Sequence, residues 1–358
     1  MFGFFKNKKQ DYTARVNGST SLTVKPGDNL LKTALEADLA WPHDCRVGSC
    51  GSCKCRLVEG KIKPLADFSY VLEGDELKNG YILACQTQLK TDIEVEVELL
   101  AEGEQQHHWE SDAVIKQIRD LTHDIKELTV EIIDPDNSSS SELLYKAGQY
   151  ADLKLPHLSE GRSYSFATTP TLGQKEFLFY IRKVPGGEFT DWLFEEDRIG
   201  QTLTMSGPYG QFGLADEPAM MTCVAGGSGM SAVVGILQAA LESGVKRDVR
   251  FIFGARSQKD LYLDDLIAQM ASDWQSKGLG SFEYIPCLSE EPDDSAWEGS
   301  RGLCTEFIVD SESNNVSGQA YLCGPPGMID AAISVFEKNG VTKEAIFFDK
   351  FLDKSNTP

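Results

Sequence analysis

Four cysteines open the question of chemistry: Cys45, Cys50, Cys53 and Cys85. The first three read C-x4-C-x2-C, and the fourth stands far downstream in LACQTQ. That is the ligand spacing of a plant-type [2Fe–2S] cluster. Small residues (Gly48, Ser49, Gly51, Ser52) let the backbone wrap the inorganic sulfurs and point amides at them. Cys50-x-x-Cys53 is also a zinc-type pair, but zinc calls for a second close pair and Cys85 stands alone. Cys55, two residues past a ligand, reads as a strand residue facing the core. A cluster of this kind moves one electron at a time, so the rest of the chain must supply or receive that electron.

A second constellation is Arg162-Ser163-Tyr164-Ser165, which follows the strand-like GQYADLKL. Downstream lies RKVPGGEFTDWL, from Arg182, in which Gly186 and Gly187 precede Thr190 at a helix start. A helix N-terminus with free amides and a hydroxyl suits an anion, and Arg162 adds a bidentate fork for a pyrophosphate. Tyr164 offers a flat face and a phenol, and Ser165 a hydroxyl beside a reactive ring nitrogen. Together with Arg182, Gly187 and Thr190 they form a flavin-binding set.

A third is Gly227-Ser228-Gly229-Met230-Ser231-Ala232, between the strand MMTCVAG and a helix. This G-x-G-x-x-A turn lets backbone approach the pyrophosphate of a dinucleotide, through Gly227 and Gly229. The acid expected at the end of the next strand, to hold a ribose, is missing. That strand ends in Phe253-Gly254-Ala255-Arg256, while Asp248 lies at its start. Arg256 either faces a 2′-phosphate, which keeps NADPH open beside NADH, or pairs with Asp260. Cys323-Gly324-Pro325-Pro326 ends a further strand, at the sheet edge where a nicotinamide would lie.

The elements that must position these groups are legible in the periodicity. Residues 12–26 alternate around Asn17-Gly18, a hairpin signal. Asp28 is the expected cap of the helix LLKTALEADL. KCRLVEGKI, YILACQT and DIEVEVEL read as strands, with Cys85 on the second. The sum is an α+β, β-grasp-like ferredoxin domain over residues 1–100. AEGEQQHHWES (101–111) reads as a linker. Residues 112–216 are mostly strands with one helix, FTDWLFEED, and form an antiparallel β-barrel. From 217 to 358, strands and helices alternate as a parallel α/β sheet, with CTEFIVDS among its strands.

Composition narrows the class. The formal net charge of −21 argues against nucleic acid. The first 100 residues carry 13 basic and 14 acidic side chains, and the other 258 carry 21 and 41. The acidity therefore lies outside the cluster-bearing part. Nine cysteines without a signal peptide suit metal ligation in a reducing, cytoplasmic compartment. No segment reads as transmembrane, and VAGGSGMSAVVGILQAAL is broken by Gly and Ser. The N-terminal MFGFFKNKK reads as a frayed tail or a weak anchor at the membrane surface.

In order and motif the chain resembles the ferredoxin–NADP reductase superfamily. Within it, the likeness is to reductase components of multicomponent oxygenases with an N-terminal ferredoxin domain, of the kind that serves xylene-type monooxygenases. WPHDCRVGSCGSCK, RSYSF, VPGGEFTDWLF, GPYGQFGL, IPCLSEE and YLCGPPGM carry this likeness, which covers nearly the whole chain. The resemblance implies FAD rather than FMN, a six-stranded flavin barrel and NADH as the usual donor. It implies Ser165 at flavin N5, Cys323 near the nicotinamide and, among Phe347, Phe348 and Phe351, an aromatic cover for the flavin, for which Phe351 is chosen. It also implies electron delivery to a separate oxygenase, with an integral-membrane di-iron hydroxylase as one such partner. Other readings are a soluble dioxygenase, a separate ferredoxin or a cytochrome P450 as partner, a redox sensor without turnover, or a zinc module.

Overall fold

Asn17 and Gly18 both adopt left-handed backbone, φ 51° and 68°. They fold β1 (Tyr12–Val16) back antiparallel on β2 (Thr20–Val24). The computed structural model describes residues 10–43, 46, 48, 51–101, 109–133, 144–158, 160–171, 173–309, 316 and 318–351. The described residues divide into two compact units, one within 1–106 and one within 107–353.

In the first unit, α1 (Leu30–Glu36) buries Leu30, Leu31 and Ala34 on the core. Its cap is Asn29, whose side chain accepts from Lys32 N at 2.8 Å. Asp28, the expected cap, instead pairs with Lys32 Nζ at 2.6 Å, because it sits one residue too early to reach the free amides. β3 (Lys54–Glu59), β4 (Ile62–Pro64), α2 (Gly74–Lys78), β5 (Tyr81–Leu83), β6 (Thr87–Leu89) and β7 (Ile93–Glu96) follow. The main sheet has the order β2-β1-β7-β3-β5, with β1 parallel to β7, and β4 pairs with β6. Cys85 is not on a strand. It lies in a 3-10 turn, Ala84–Gln86, between β5 and β6.

The second unit opens with β8 (Trp109–Asp120), which starts three residues ahead of the expected strand and pairs Trp109 with Gly207. It continues with β9 (Ile125–Ile132), β10 (Tyr150–Lys154), β11 (Arg162–Ser165), β12 (Glu176–Arg182), α3 (Glu188–Glu195) and β13 (Thr202–Tyr209). The antiparallel sheet has the order β11-β10-β13-β8-β9-β12. A bridge between Phe166 and Phe179 joins its two ends into a near-closed barrel. Alternate residues of β9 and β12 (Leu128, Val130, Phe177, Phe179) fill the interior with Phe189 and Leu193 of α3.

A parallel sheet shares this unit. Its elements are β14 (Met221–Gly226), α4 (Met230–Ser243), β15 (Val249–Ala255), α5 (Asp264–Ser276), β16 (Phe282–Leu288), β17 (Ser300–Arg301), β18 (Gln319–Gly324), α6 (Pro326–Lys338) and β19 (Ile346–Lys350). The order is β17-β16-β15-β14-β18-β19. β14 is buried along its whole length because helices cover both faces: α4 and α5 on one, α6 on the other. The described part of CTEFIVDS, residues 304–309, is not a strand. Cys304–Phe307 form a 3-10 turn whose start is capped by Glu306, which accepts from Leu303 N at 3.2 Å.

Barrel and parallel sheet touch through specific bonds. Tyr180 N of β12 donates to Ser231 Oγ of α4 at 3.2 Å, and Thr169 Oγ1 donates to Glu242 at 2.9 Å.

Candidate functional site

Cys53 ends the small-residue loop just before β3, and Cys85 comes up from its turn to meet it. The two sulfurs are 3.2 Å apart, at 3% and 1% exposure. The Cys53 carbonyl is held by the Trp41 indole at 3.3 Å and by Ala84 N at 3.2 Å. Gly48 has φ +86°, the left-handed region that favours glycine, and a Cβ there would crowd the Gln86 side chain beside the Cys85 turn. Converging buried sulfurs beside a left-handed loop fit a soft metal centre. Cys45 and Cys50 lie outside the described residues. Cys55 is buried, and burial, with the neighbouring Cys53 second, pushes its thiol well up. It remains a neutral core group.

On β11, Ser165 is buried opposite Tyr150, while Tyr164 is partly exposed with its ring 5.2 Å from Phe189. Arg162 donates to the Gly161 carbonyl at 3.0 Å and to Glu188 Oε2 at 3.3 Å. Glu188 is the first residue of α3, so the guanidinium is stationed at that helix start. A flat cofactor with a pyrophosphate tail fits this corner: a half-open ring, an arginine and first-turn amides. Thr190 departs from expectation. Its hydroxyl faces inward, accepting from Val184 N at 3.1 Å and donating to the Val184 carbonyl at 3.1 Å. It fastens the Gly186-Gly187 turn. A Cβ on Gly187 would lie 2.7 Å from that hydroxyl.

The third region centres on the turn from β14 to α4. A Cβ on Gly229 would lie 2.2 Å from the Cys323 carbonyl oxygen, which fixes glycine there by contact alone. Gly227 has φ +56°, and its missing Cβ would lie 3.2 Å from Arg182 Nη1. Tyr262 donates to the Gly227 carbonyl at 2.8 Å. Gly324, at φ +148°, packs on Gly226 and Met328, and Pro325 caps α6. Phe351 N donates to the Gly324 carbonyl at 2.9 Å, which places Phe351 beside this segment. A cavity of about 370 Å³ opens here, lined by Gly226, Gly227, Arg182, Arg256, Cys304 and Pro325 among others. Its size and its helix N-terminus fit a dinucleotide. Cys323 is fully buried between β14 and β19 and is not among the lining residues. Burial first, then the Asp349 carboxylate, pushes its thiol well up.

Asp248 accepts from Ser281 N and Oγ, both at 2.7 Å, a structural task at the far end of β15. Arg256 does not pair with Asp260, which caps Ser257 instead. Its nearest carboxylate is Asp124 Oδ2, at 3.7 Å. Asp124 was not legible as a site residue: THDIK reads only as a polar turn. Tyr262 and Ser231 were also missed. An aromatic ahead of a helix and a serine within a glycine motif are weak signals alone.

Residues 14–90 match the 2Fe-2S iron-sulfur cluster binding domain, 112–213 the oxidoreductase FAD-binding domain and 223–333 the oxidoreductase NAD-binding domain. The xylene/toluene monooxygenase electron transfer component XylA of Pseudomonas putida is 41% identical over 334 residues, 92% of this chain and 91% of that one. The chain belongs to the ferredoxin–NADP reductase superfamily, among the oxygenase reductases. The reductase component of propane 2-monooxygenase from Mycolicibacterium goodii is 32% identical over 92% of this reductase and 94% of its own length. The crystal structure of the Amycolatopsis cytochrome P450 reductase GcoB superposes with a TM-score of 0.74 at 28% identity, covering 95% of this chain and 98% of that one. This reductase passes electrons from NADH through FAD and a [2Fe–2S] cluster to an oxygenase component. Among the described residues, no helix is long and apolar enough to cross a membrane.

Proposed function

We propose that this reductase serves a membrane-bound di-iron hydroxylase of aromatic hydrocarbons and works at the cytoplasmic face of that membrane. The observation that carries the proposal is the 41% identity to a xylene/toluene monooxygenase electron transfer component along nearly the whole chain. The MFGFFKNKK tail, which lies outside the described residues, suits peripheral attachment.

The division of labour follows the three domains, 1–100, 112–216 and 217–358. Bound at these sites, a flavin would supply two-electron hydride chemistry and a [2Fe–2S] cluster one-electron transfer. Cys45, Cys50, Cys53 and Cys85 hold the cluster. Arg162 and the α3 amides take the flavin pyrophosphate, with Gly187 and Thr190 shaping the turn. Tyr164 and Ser165 face the ring, and Phe351 covers it. Gly227, Gly229, Gly324 and Pro325 cradle the dinucleotide, and Cys323 backs the nicotinamide. Arg182, read from the sequence with the flavin set, lines the dinucleotide cavity instead and neutralises its phosphates.

The test is hydroxylation of an aromatic hydrocarbon by membrane vesicles that contain the hydroxylase, driven by NADH and the purified reductase. Product formation that requires the vesicles supports the proposal. A second reading, favoured by the likeness to GcoB, is a cytochrome P450 partner. NADH-dependent reduction of a P450, with no turnover in vesicles, would replace the first reading with the second.

A further inference from the structure

The cavity beside Gly227 holds two arginines and, between them, one acid that no motif accounts for. Asp124 lies in the turn from β8 to β9, on the barrel side. Its Oδ2 accepts from Arg182 Nε at 2.9 Å, and Arg256 Nη2 is 3.7 Å from the same oxygen. Its Oδ1 accepts from Thr122 Oγ1 at 3.0 Å. Thr122 in turn bonds Ile125 N, so the turn that presents the carboxylate is fastened at both ends. The Asp124 side chain is 18% exposed, against 36% for Arg182 and 50% for Arg256. Burial alone would raise this carboxyl. The hydrogen bond and charge of Arg182, with help from Thr122, outweigh burial and hold it below the usual range. The group is therefore a fixed anion at neutral pH.

Arg182 and Arg256 line the same cavity as Gly226 and Gly227, where α4 begins. Phosphates entering there need those guanidiniums, and a carboxylate already bonds Arg182 and stands 3.7 Å from Arg256. We infer that Asp124 is a negative determinant of dinucleotide affinity, competing with the phosphates for Arg182 and Arg256 so that the oxidised dinucleotide leaves readily. This rests on the reading that the cavity takes the dinucleotide. Asp124 is a positioning residue: it acts through the arginines and touches no reacting atom. Asp260 adds a second carboxylate to the lining, but it faces His123 at 3.6 Å and Ser257 rather than the arginines.

The experiment is an equilibrium titration of NAD⁺ into the oxidised holoprotein with its flavin and cluster in place. For Asp124→Asn, which keeps shape and removes charge, the dissociation constant should fall about fivefold. Arg182→Gln should raise it, and adding Asp124→Asn to Arg182→Gln should lower it by clearly less than fivefold, the remainder acting through Arg256. A purely structural Asp124 would give the opposite sign, since a damaged turn weakens binding. Unchanged or weaker binding in folded, cofactor-replete Asp124→Asn would overturn the inference and leave the cavity assignment standing. A wild-type protein that does not bind NAD⁺ would remove both.

Discussion

Gly229 offers the sharpest test of how the nucleotide turn is built. Its φ is −59°, so alanine meets no backbone strain there. The whole penalty is contact. The added Cβ would sit 2.2 Å from the Cys323 oxygen, 2.5 Å from its carbon and 2.9 Å from Gly324 N, all backbone atoms, where ordinary contact begins near 3.4 Å. No rotamer relieves this, so the turn and β18 must move apart. Overpacking of this kind costs ~1–3 kcal/mol. In a unit of this size that lowers the melting midpoint by ~2–12 °C. The functional loss should be larger, because the turn carries the α4 amides. A misplacement of ~1 Å can cost about 100-fold in rate. The assay is anaerobic rapid mixing with NADH, following flavin bleaching across NADH concentrations, with dithionite reduction as the control. Gly229→Ala should reduce slowly with NADH and normally with dithionite. Wild-type rates and wild-type KM in the variant would show that the close approach to Cys323 has no part in seating the dinucleotide.

Cys85→Ser should abolish electron output to cytochrome c yet leave NADH-driven flavin reduction intact; loss of both in a folded variant would mean the assumed order of carriers is wrong. Tyr262→Phe removes the bond to the Gly227 carbonyl. It should lower stability by ~1 kcal/mol and raise KM for NADH a few-fold, as read by denaturant titration and steady-state kinetics. Asp248→Asn tests linkage. Hydrogen bonds from Ser281 N and Oγ hold the Asp248 carboxyl below its usual range. A depressed carboxyl stabilises above its unfolded pKa and ceases to do so as pH falls through the folded value. The variant should therefore be less stable at pH 7, by ~0.5–1 kcal/mol for so exposed a group, and equal to wild type at strongly acidic pH. A stability gap that persists in acid would refute the ionic origin.

Much of this is legible in the sequence, because the relevant signals are local. Asn17-Gly18 sets its hairpin through left-handed backbone, and the glycines of the β14–α4 turn announce a close approach. The misses are positions where distant chain segments decide. Thr190 stands at a helix start, where a hydroxyl suits an anion, but Val184 reaches it first. Arg256 has an acid four residues away in sequence, yet its neighbour is Asp124, more than a hundred positions back. Cys85 sits in an apolar run that looks like one strand. The chain breaks that run into a 3-10 turn so that the thiol can meet Cys53. Asp28 and Asn29 are both good caps, and only the phase of the helix separates them.

β12 holds more than its own place. Phe179 stitches the barrel shut, Tyr180 N grips α4 through Ser231, and Arg182 at its end leans on Gly227. Because strand residues alternate sides, adding or deleting one residue here would throw all three out of phase. Chimeras that graft a foreign dinucleotide module onto this barrel must therefore match Ser231 and Gly227 to the phase of that strand. Junctions chosen by sequence similarity alone would lose the Ser231 bond and the Arg182 approach even where each module folds.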